Sequence, residues 1–366
     1  MKRKVIALAV LAACSGGVWA QSNVSIYGVV DTGYVKQTGR DIYMGANQDN
    51  KIGFRGSEDL GGGLKAIFQL ERRFDLNDGT LGNTSIPAGR GSSGASGADW
   101  DGAANVGFEN SEWGKIRFGR VNELSTETIR RFDPFYQYGV GSMIMSSQRS
   151  ARVSNTARYD SPAWNGFRFG ALYTLGQNTK GTGGISGYDN DGYGINLSYD
   201  NGSFQTTANW SRTSDSDDSS VWNIGLGYKF GPARVTLLYE DSDSKGRRNG
   251  GNINYKGTTN PKTDESVWLL GLEWDIGPGQ LDASVQYARL KNVRDRSSGV
   301  RVAGFEGGTK DTYKYALGYT YNLSKRTSVY GQVSFTDYND AATGNFYSGM
   351  ERDSVTGIQL GMTHKF

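Results

Sequence analysis

Trp222-Asn223-Ile224-Gly225-Leu226-Gly227-Tyr228-Lys229-Phe230-Gly231-Pro232 is the stretch on which the fold turns. Trp222, Ile224, Leu226, Tyr228 and Phe230 alternate with Asn223, Gly225, Gly227 and Lys229. A period of two puts every second side chain on the same face, so this is a β-strand with one apolar face and one small or polar face. Gly231-Pro232 breaks the run as a tight turn does, and a second alternating run follows at 233–240. The pattern recurs in both directions. Val24, Ile26, Gly28, Val30, Thr32 and Tyr34 form such a row near the start, and Tyr313, Tyr315, Leu317, Tyr319 and Tyr321 form another. The final run sets Ile358, Leu360, Met362, His364 and Phe366 against Gln359, Gly361, Thr363 and Lys365.

Working outward, the chain yields sixteen strands, near residues 24–35, 50–57, 64–75, 103–110, 114–121, 156–161, 167–175, 193–200, 203–212, 221–230, 233–240, 266–275, 280–290, 311–321, 327–337 and 353–366. Seven short connections rich in Gly, Pro, Asn and Ser alternate strictly with eight long ones. That alternation is what an up-and-down sheet needs when its first and last strands pair. A soluble β-sandwich shares the period and the turn residues, but three features oppose it. The runs are longer than the strands of soluble sheets and match a tilted span of hydrocarbon. Aromatics gather near strand ends, as at Trp210, Phe230, Tyr239, Trp274, Tyr287, Tyr321 and Phe366, where an interfacial girdle lies. The opposite face carries Lys, Arg, Gln, Asn and Thr, so the enclosed side is wet, and closure satisfies every backbone hydrogen bond in lipid. The expected fold is all-β: a 16-stranded antiparallel transmembrane β-barrel.

Composition agrees. The 366 residues include 53 Gly, 21 Tyr and 15 Phe but are only 36% hydrophobic, unlike a packed globular enzyme. The longest apolar run, Val5 to Ala13, is too short for a spanning helix of about 20 residues. Lys2, Arg3 and Lys4 precede it and Val18-Trp19-Ala20 follows, so residues 1–20 read as a secretory signal and 21–366 as the barrel. Leu11-Ala12-Ala13-Cys14 also fits a lipoprotein cleavage pattern, the alternative use of that segment. The formal charge of +3 resides in Lys2, Arg3 and Lys4, so the chain after residue 20 carries as many acids as bases. With one Cys and one His, no zinc site, disulfide framework or His-based triad can be built. No catalytic residue, metal, cofactor or nucleic-acid partner is expected. Gly61-Gly62-Gly63 and Gly181-Thr182-Gly183-Gly184 lack the strand-to-helix context of a phosphate loop. Asp215, Asp217 and Asp218 lack the spaced ligands of a calcium loop.

The residues also resemble a family, the Gram-negative general porins, in particular the trimeric group ending in Phe. The continuous segment from Lys51-Ile52-Gly53-Phe54-Arg55-Gly56 to Ile67-Phe68-Gln69-Leu70-Glu71 is similar to that family's second strand, turn and third strand. Further matches are Trp113 to Arg120, Asp133-Pro134-Phe135, Arg158-Tyr159-Asp160-Ser161-Pro162 and Gly361-Met362-Thr363-His364-Lys365-Phe366. The resemblance implies a homotrimer in the outer membrane, in contact with lipid and lipopolysaccharide. It implies a third loop folded into each barrel and a terminal Phe366 read by the insertion machinery.

A channel of this kind sorts solutes by the width and charge of its narrowest section. The stretch Asn122 to Ala157 is the longest connection, and its apolar patch Val140 to Met145 is poorly suited to free exposure. It is expected to bend inward, bringing Glu123, Glu127 and Asp133. Strand parity turns Lys51, Arg55, Lys65, Glu71, Arg73 and Arg117 toward the lumen, and Arg158 joins them. By the resemblance, Lys51 and Arg158 take places in a basic cluster with Glu71 beside it and the loop acids across the pore. One departure stands out: Gly102 falls where the family often has a third basic residue. The expected function is passive diffusion of ions and small hydrophilic solutes. The alternatives are a substrate-selective channel, which needs an aromatic track, and a barrel enzyme, for which His364 alone is too little.

Overall fold

The computed structural model describes residues 23–81, 99–144, 152–175, 191–212, 219–245, 254–255, 258–259, 261–295 and 297–366. The signal read at 1–20, the acids at 215–218 and the glycines at 181–184 lie outside the described residues.

Sixteen long strands close one sheet, which the three-residue strand Tyr43–Gly45 joins beside the first of them: β1 (Asn23–Gln37), β2 (Lys51–Gly61), β3 (Leu64–Arg73), β4 (Ala104–Asn110), β5 (Gly114–Asn122), β6 (Arg152–Asp160), β7 (Phe167–Thr174) and β8 (Gly192–Asp200). They continue as β9 (Phe204–Arg212), β10 (Ser220–Phe230), β11 (Ala233–Ser244), β12 (Lys262–Ile276), β13 (Gly279–Arg294), β14 (Lys310–Asn322), β15 (Thr327–Asp337) and β16 (Ser354–Lys365). Each pairs antiparallel with the next, and β1 pairs with β16 from Val29↔Lys365 to Gln37↔Gly357. The chain end completes the seam, because Gly28 N donates to Phe366 O at 3.0 Å and Phe366 N to Gly28 O at 3.1 Å. A closed sheet has no free edge, which is the condition for crossing lipid with strands.

The alternation read in β10 holds in space. Trp222, Ile224, Leu226 and Tyr228 are exposed on the outer face, while Val221, Asn223 and Gly225 are buried on the inner one. Outer rings on adjacent strands pair: Trp222 lies 4.9 Å from Tyr239 on the diagonal, and Tyr239 lies 4.4 Å from Trp268, its partner in register. Tilted aromatic pairs of this kind add about 0.5–1.5 kcal/mol each beyond area burial.

Two departures concern the long connections. Strand β6 begins at Arg152, not near 156, so the third connection is shorter than expected. That connection also contains a helix that period-two reading passes over, α1 (Leu124–Phe132). Glu123 caps it, its carboxylate accepting from Ser125 N and Thr126 N, and Arg130 and Arg131 sit in the last turn where cations suit the helix dipole. A second helix, α2 (Ala341–Ser348), lies before β16, with Asp340 accepting from Thr343 N and Gly349 ending it in the left-handed region.

Candidate functional site: the loop-lined lumen

Helix α1 packs against β8 to β11, and its apolar side chains decide where. Ile129 and Phe132, with Met143 and Ile144 further along the loop, form a buried cluster with Leu238, Val267, Leu269 and Ala288. The last four point inward from β11, β12 and β13, so the enclosed face is not wet throughout. Each large side chain buried this way contributes about 1.5–3 kcal/mol.

Inward glycines mark the loop's path. A Cβ on Gly225 would lie 2.0 Å from the Phe132 ring, and one on Gly271 2.6 Å from Pro134 Cγ. Gly318 meets Phe135 and Gly357 meets Val140 in the same way. The loop then exchanges hydrogen bonds with long polar side chains of the wall. Val140 N donates to Gln359 Oε1 at 3.2 Å, Gly141 N to Gln332 Oε1 at 3.2 Å and Ile144 N to Gln286 Oε1 at 2.7 Å. Lys314 Nζ donates to Ser142 O at 2.6 Å. Three backbone donors and one carbonyl are thus satisfied in a place that excludes water.

Asp133 organises the turn after α1. Its carboxylate accepts from Phe135 N at 3.0 Å, Gln137 N at 2.9 Å and Met143 N at 3.0 Å. These bonds hold Tyr136 and Gln137 at φ 52° and 65°, a conformation that non-glycine residues adopt only under constraint. Burial pushes the Asp133 carboxyl up, against the pull of the three donors, and pushes the Tyr136 hydroxyl up to about 12.

The expected pore-lining residues divide into four groups. Lys51 is partly open, 3.4 Å from Glu71 Oε2, and reaches the central cavity. Arg55 and Arg117 line a smaller space of about 390 Å³ with Lys115 and Glu109 at the short-turn end. Lys65 is exposed near that end, between Asp59 and Glu109 in register. Glu127 lies at the wall, not across the lumen from it: its Oε2 is 2.6 Å from Arg158 Nη2, and Asn122 Nδ2 donates to its Oε1 at 3.0 Å.

The remaining five are buried and do not line open water. Arg73 is 1% exposed, with Nη2 2.5 Å from Asp49 Oδ2 and 3.6 Å from Glu71 Oε1. Glu71 also accepts from Tyr27 Oη at 3.2 Å and lies 3.7 Å from Arg152 Nη2. Arg158 is held by Glu127, by Asp160 at 2.6 Å and by the Asn122 carbonyl at 2.9 Å. Glu123 and Asp133 serve as the caps of α1. Glu71 and Arg73 are thus shielded by ion pairs although parity turned them inward, and Glu123 and Asp133 are committed to the loop's own backbone. Gly102 is explained as well. A Cβ there would lie 2.6 Å from Glu71 Oε1, so Glu71 occupies the space a basic side chain would need.

The cavity left beside the docked loop holds about 800 Å³. Lys51, Arg130 and Lys365 contribute positive charge to its lining, Asp275 and Asp282 negative charge, and Tyr136 and Tyr138 of the loop line it too. Asp49 and Asp282 escaped sequence reading. Arg130 lies 5.7 Å over the Tyr138 ring, and Tyr138 Oη donates to Asp49 Oδ2 at 3.0 Å.

A family profile described as Gram-negative porin matches residues 7–341. Outer membrane porin protein 32 of Delftia acidovorans is 31% identical over 400 residues, covering 100% of both chains. Major outer membrane protein P.IB of Neisseria meningitidis is 26% identical over 397 residues, again with 100% of both covered. The solved anion-selective porin from Comamonas acidovorans superposes with a TM-score of 0.69 at 24% identity, over 94% of this chain and 100% of its own. A trimer form of the outer membrane protein OmpT of Vibrio cholerae gives 0.66 at 13% identity, over 94% and 99%.

Proposed function

The chain belongs to the Gram-negative porins, and from that membership we propose how its outer-membrane diffusion channel sorts what it passes. The third loop sets the narrowest section. Lys51 and Arg130 face Asp275 and Asp282 across it, and their opposed charges order water and favour small polar solutes over apolar ones. The observation that carries this reading is the cavity of about 800 Å³ beside the docked loop, with those four side chains in its lining. Arg73 and Arg158 act differently. Arg158 binds Glu127 of α1 directly and Arg73 holds Asp49, which accepts from Tyr138 of the loop, so both fasten the loop and leave the field to the open charges.

The assembly is a homotrimer, a reading supported by the trimer form of a structural neighbour. The exposed apolar and aromatic outer rows suit lipid and lipopolysaccharide contact. Residues 1–20 are removed on export, and Phe366 presents the last strand to the insertion machinery. The porin relatives are channels, which supports a role without bond chemistry.

Reversal potentials in planar bilayers under a salt gradient test the field. Lys51→Ala and Arg130→Ala are each expected to move the potential toward cation preference, and Arg73→Met to move it far less. Equal shifts from all three would place the selective charges elsewhere, and absence of stepwise conductance would remove the channel reading itself.

A further inference from the structure

Glu273 and Asp282 stand directly opposite one another on the antiparallel strands β12 and β13. Both are on the inner face and both are buried, at 7% and 8% exposure. Like charges in that relation destabilise a sheet. Arg234 of β11 answers one of them, with Nη1 2.8 Å from Glu273 Oε1. Its Nη2 is already committed to the Arg131 carbonyl at 2.8 Å. Asp275 is also provided for, because Gln280 Nε2 donates to it at 3.2 Å.

Asp282 is left over. Among the described residues it has no ion-pair partner, and its Oδ1 is buried without a hydrogen bond. Nine-tenths enclosed by protein, the side chain nevertheless reaches the cavity that Lys51 and Arg130 also line. A carboxylate so placed is costly until a donor or cation arrives. Among the described residues the wall supplies none, and the side on which the group is open is the lumen.

We propose that Asp282 is a transit site for the ammonium group of small zwitterionic solutes, free amino acids above all, whose carboxylate faces Lys51 and Arg130 in the same cavity. The inference deepens the reading of this lumen as a diffusion path and rests on it. A metal ion is the weaker occupant, since no group of three or more His, Cys, Asp or Glu among the described residues could hold one. An ammonium group carries its own three donors and needs only one carboxylate plus water. Between walls of opposite sign, a dipolar solute is oriented without net charge having to cross. A neutral solute of equal size gains nothing.

The test compares L-alanine with lactamide, an uncharged molecule of nearly the same shape, in proteoliposomes holding the full-length channel. Wild type is expected to pass alanine faster than lactamide. Asp282→Asn is expected to lower the alanine-to-lactamide ratio about threefold, the size of one water-screened ion pair. Wild type in about 1 M salt, where the Debye length is about 3 Å, is expected to lose the same preference, which makes the test independent of any variant's assembly. An unchanged ratio in both arms overturns the proposal. So does a variant whose reversal potential moves while its ratio does not, because Asp282 then serves inorganic cations only. Absence of lactamide flux through wild type would instead overturn the diffusion path, and the two failures are distinguishable.

Discussion

Arg158 Nη2 lies 2.6 Å from Glu127 Oε2, joining strand β6 of the wall to helix α1 of the third loop. The charges expected to face one another across water therefore touch. The same guanidinium binds Asp160 and the Asn122 carbonyl, so one side chain ties together the wall, the end of β5 and the loop.

Arg158→Ala consequently acts on loop attachment more than on ion preference. It strands Glu127 beside a wall that no longer neutralises it, while Asp160 keeps Arg117 Nη2 at 2.6 Å. Removing one partner of a buried pair costs roughly 3–5 kcal/mol, and the lower end applies here because Glu127 keeps 34% of its side chain exposed. Single-channel records should show more open-state noise, and thermal unfolding should show a lower melting temperature. A reversal-potential shift as large as that of Lys51→Ala, in a quiet channel, would contradict this.

The wall glutamines make a second prediction. Gln286, Gln332 and Gln359 accept from Ile144 N, Gly141 N and Val140 N. Replacing all three with Leu preserves bulk and removes the acceptors. Each buried donor left unpaired costs about 1–3 kcal/mol, so the loop tip should detach and conductance should fluctuate between at least two levels. A single unchanged level would show that the apolar cluster around Phe132 holds the loop without them.

Gly225→Val probes that cluster. Its first added carbon meets the Phe132 ring at 2.0 Å, and the ring is fully buried with nowhere to retreat. Overpacking costs typically 1–3 kcal/mol. The expected outcome is a folded barrel with a displaced α1, read as greater protease access to residues 123–144. Protection equal to wild type would mean that the strand yields and the helix does not.

The barrel was legible and the loop's seat was not, for physical reasons. In β10 lipid demands an apolar outer row, so Trp222 to Phe230 announces itself whatever lies inside. The inner row obeys two demands at once. Leu238 and Leu269 face inward because Ile129 and Phe132 cover them, and Gly225 and Gly271 are small because Phe132 and Pro134 approach. Read strand by strand, those residues look like ordinary members of a polar or small face. Helix α1 was hidden by its length and its polar sequence, LSTETIRRF, and by a Glu in the cap position where Ser, Thr, Asp or Asn is the usual signal. Asp282 needed the strand register, since only pairing shows that Arg234 answers Glu273 and leaves its neighbour unanswered.

Acid should loosen the loop through Asp49. Its carboxylate is 2.5 Å from Arg73 Nη2 and accepts from Tyr138 Oη at 3.0 Å, so it joins the wall to the loop. Burial alone would push the carboxyl up, but Arg73 and Arg152 outweigh burial and hold it at about 2, against 3.8 for an ordinary Asp. The unfolded chain then binds the proton more readily, so stability from this group is complete above about pH 4 and is lost as pH falls toward about 2. Thermal melting of wild type and Asp49→Asn across that range isolates the effect from other carboxylates. Near neutral pH the variant should be less stable, because Asn leaves the buried Arg73 charge only partly balanced. The gap should close as acid protonates Asp49 in wild type, whereas parallel profiles would show that Asp49 carries no pH-dependent share of loop attachment.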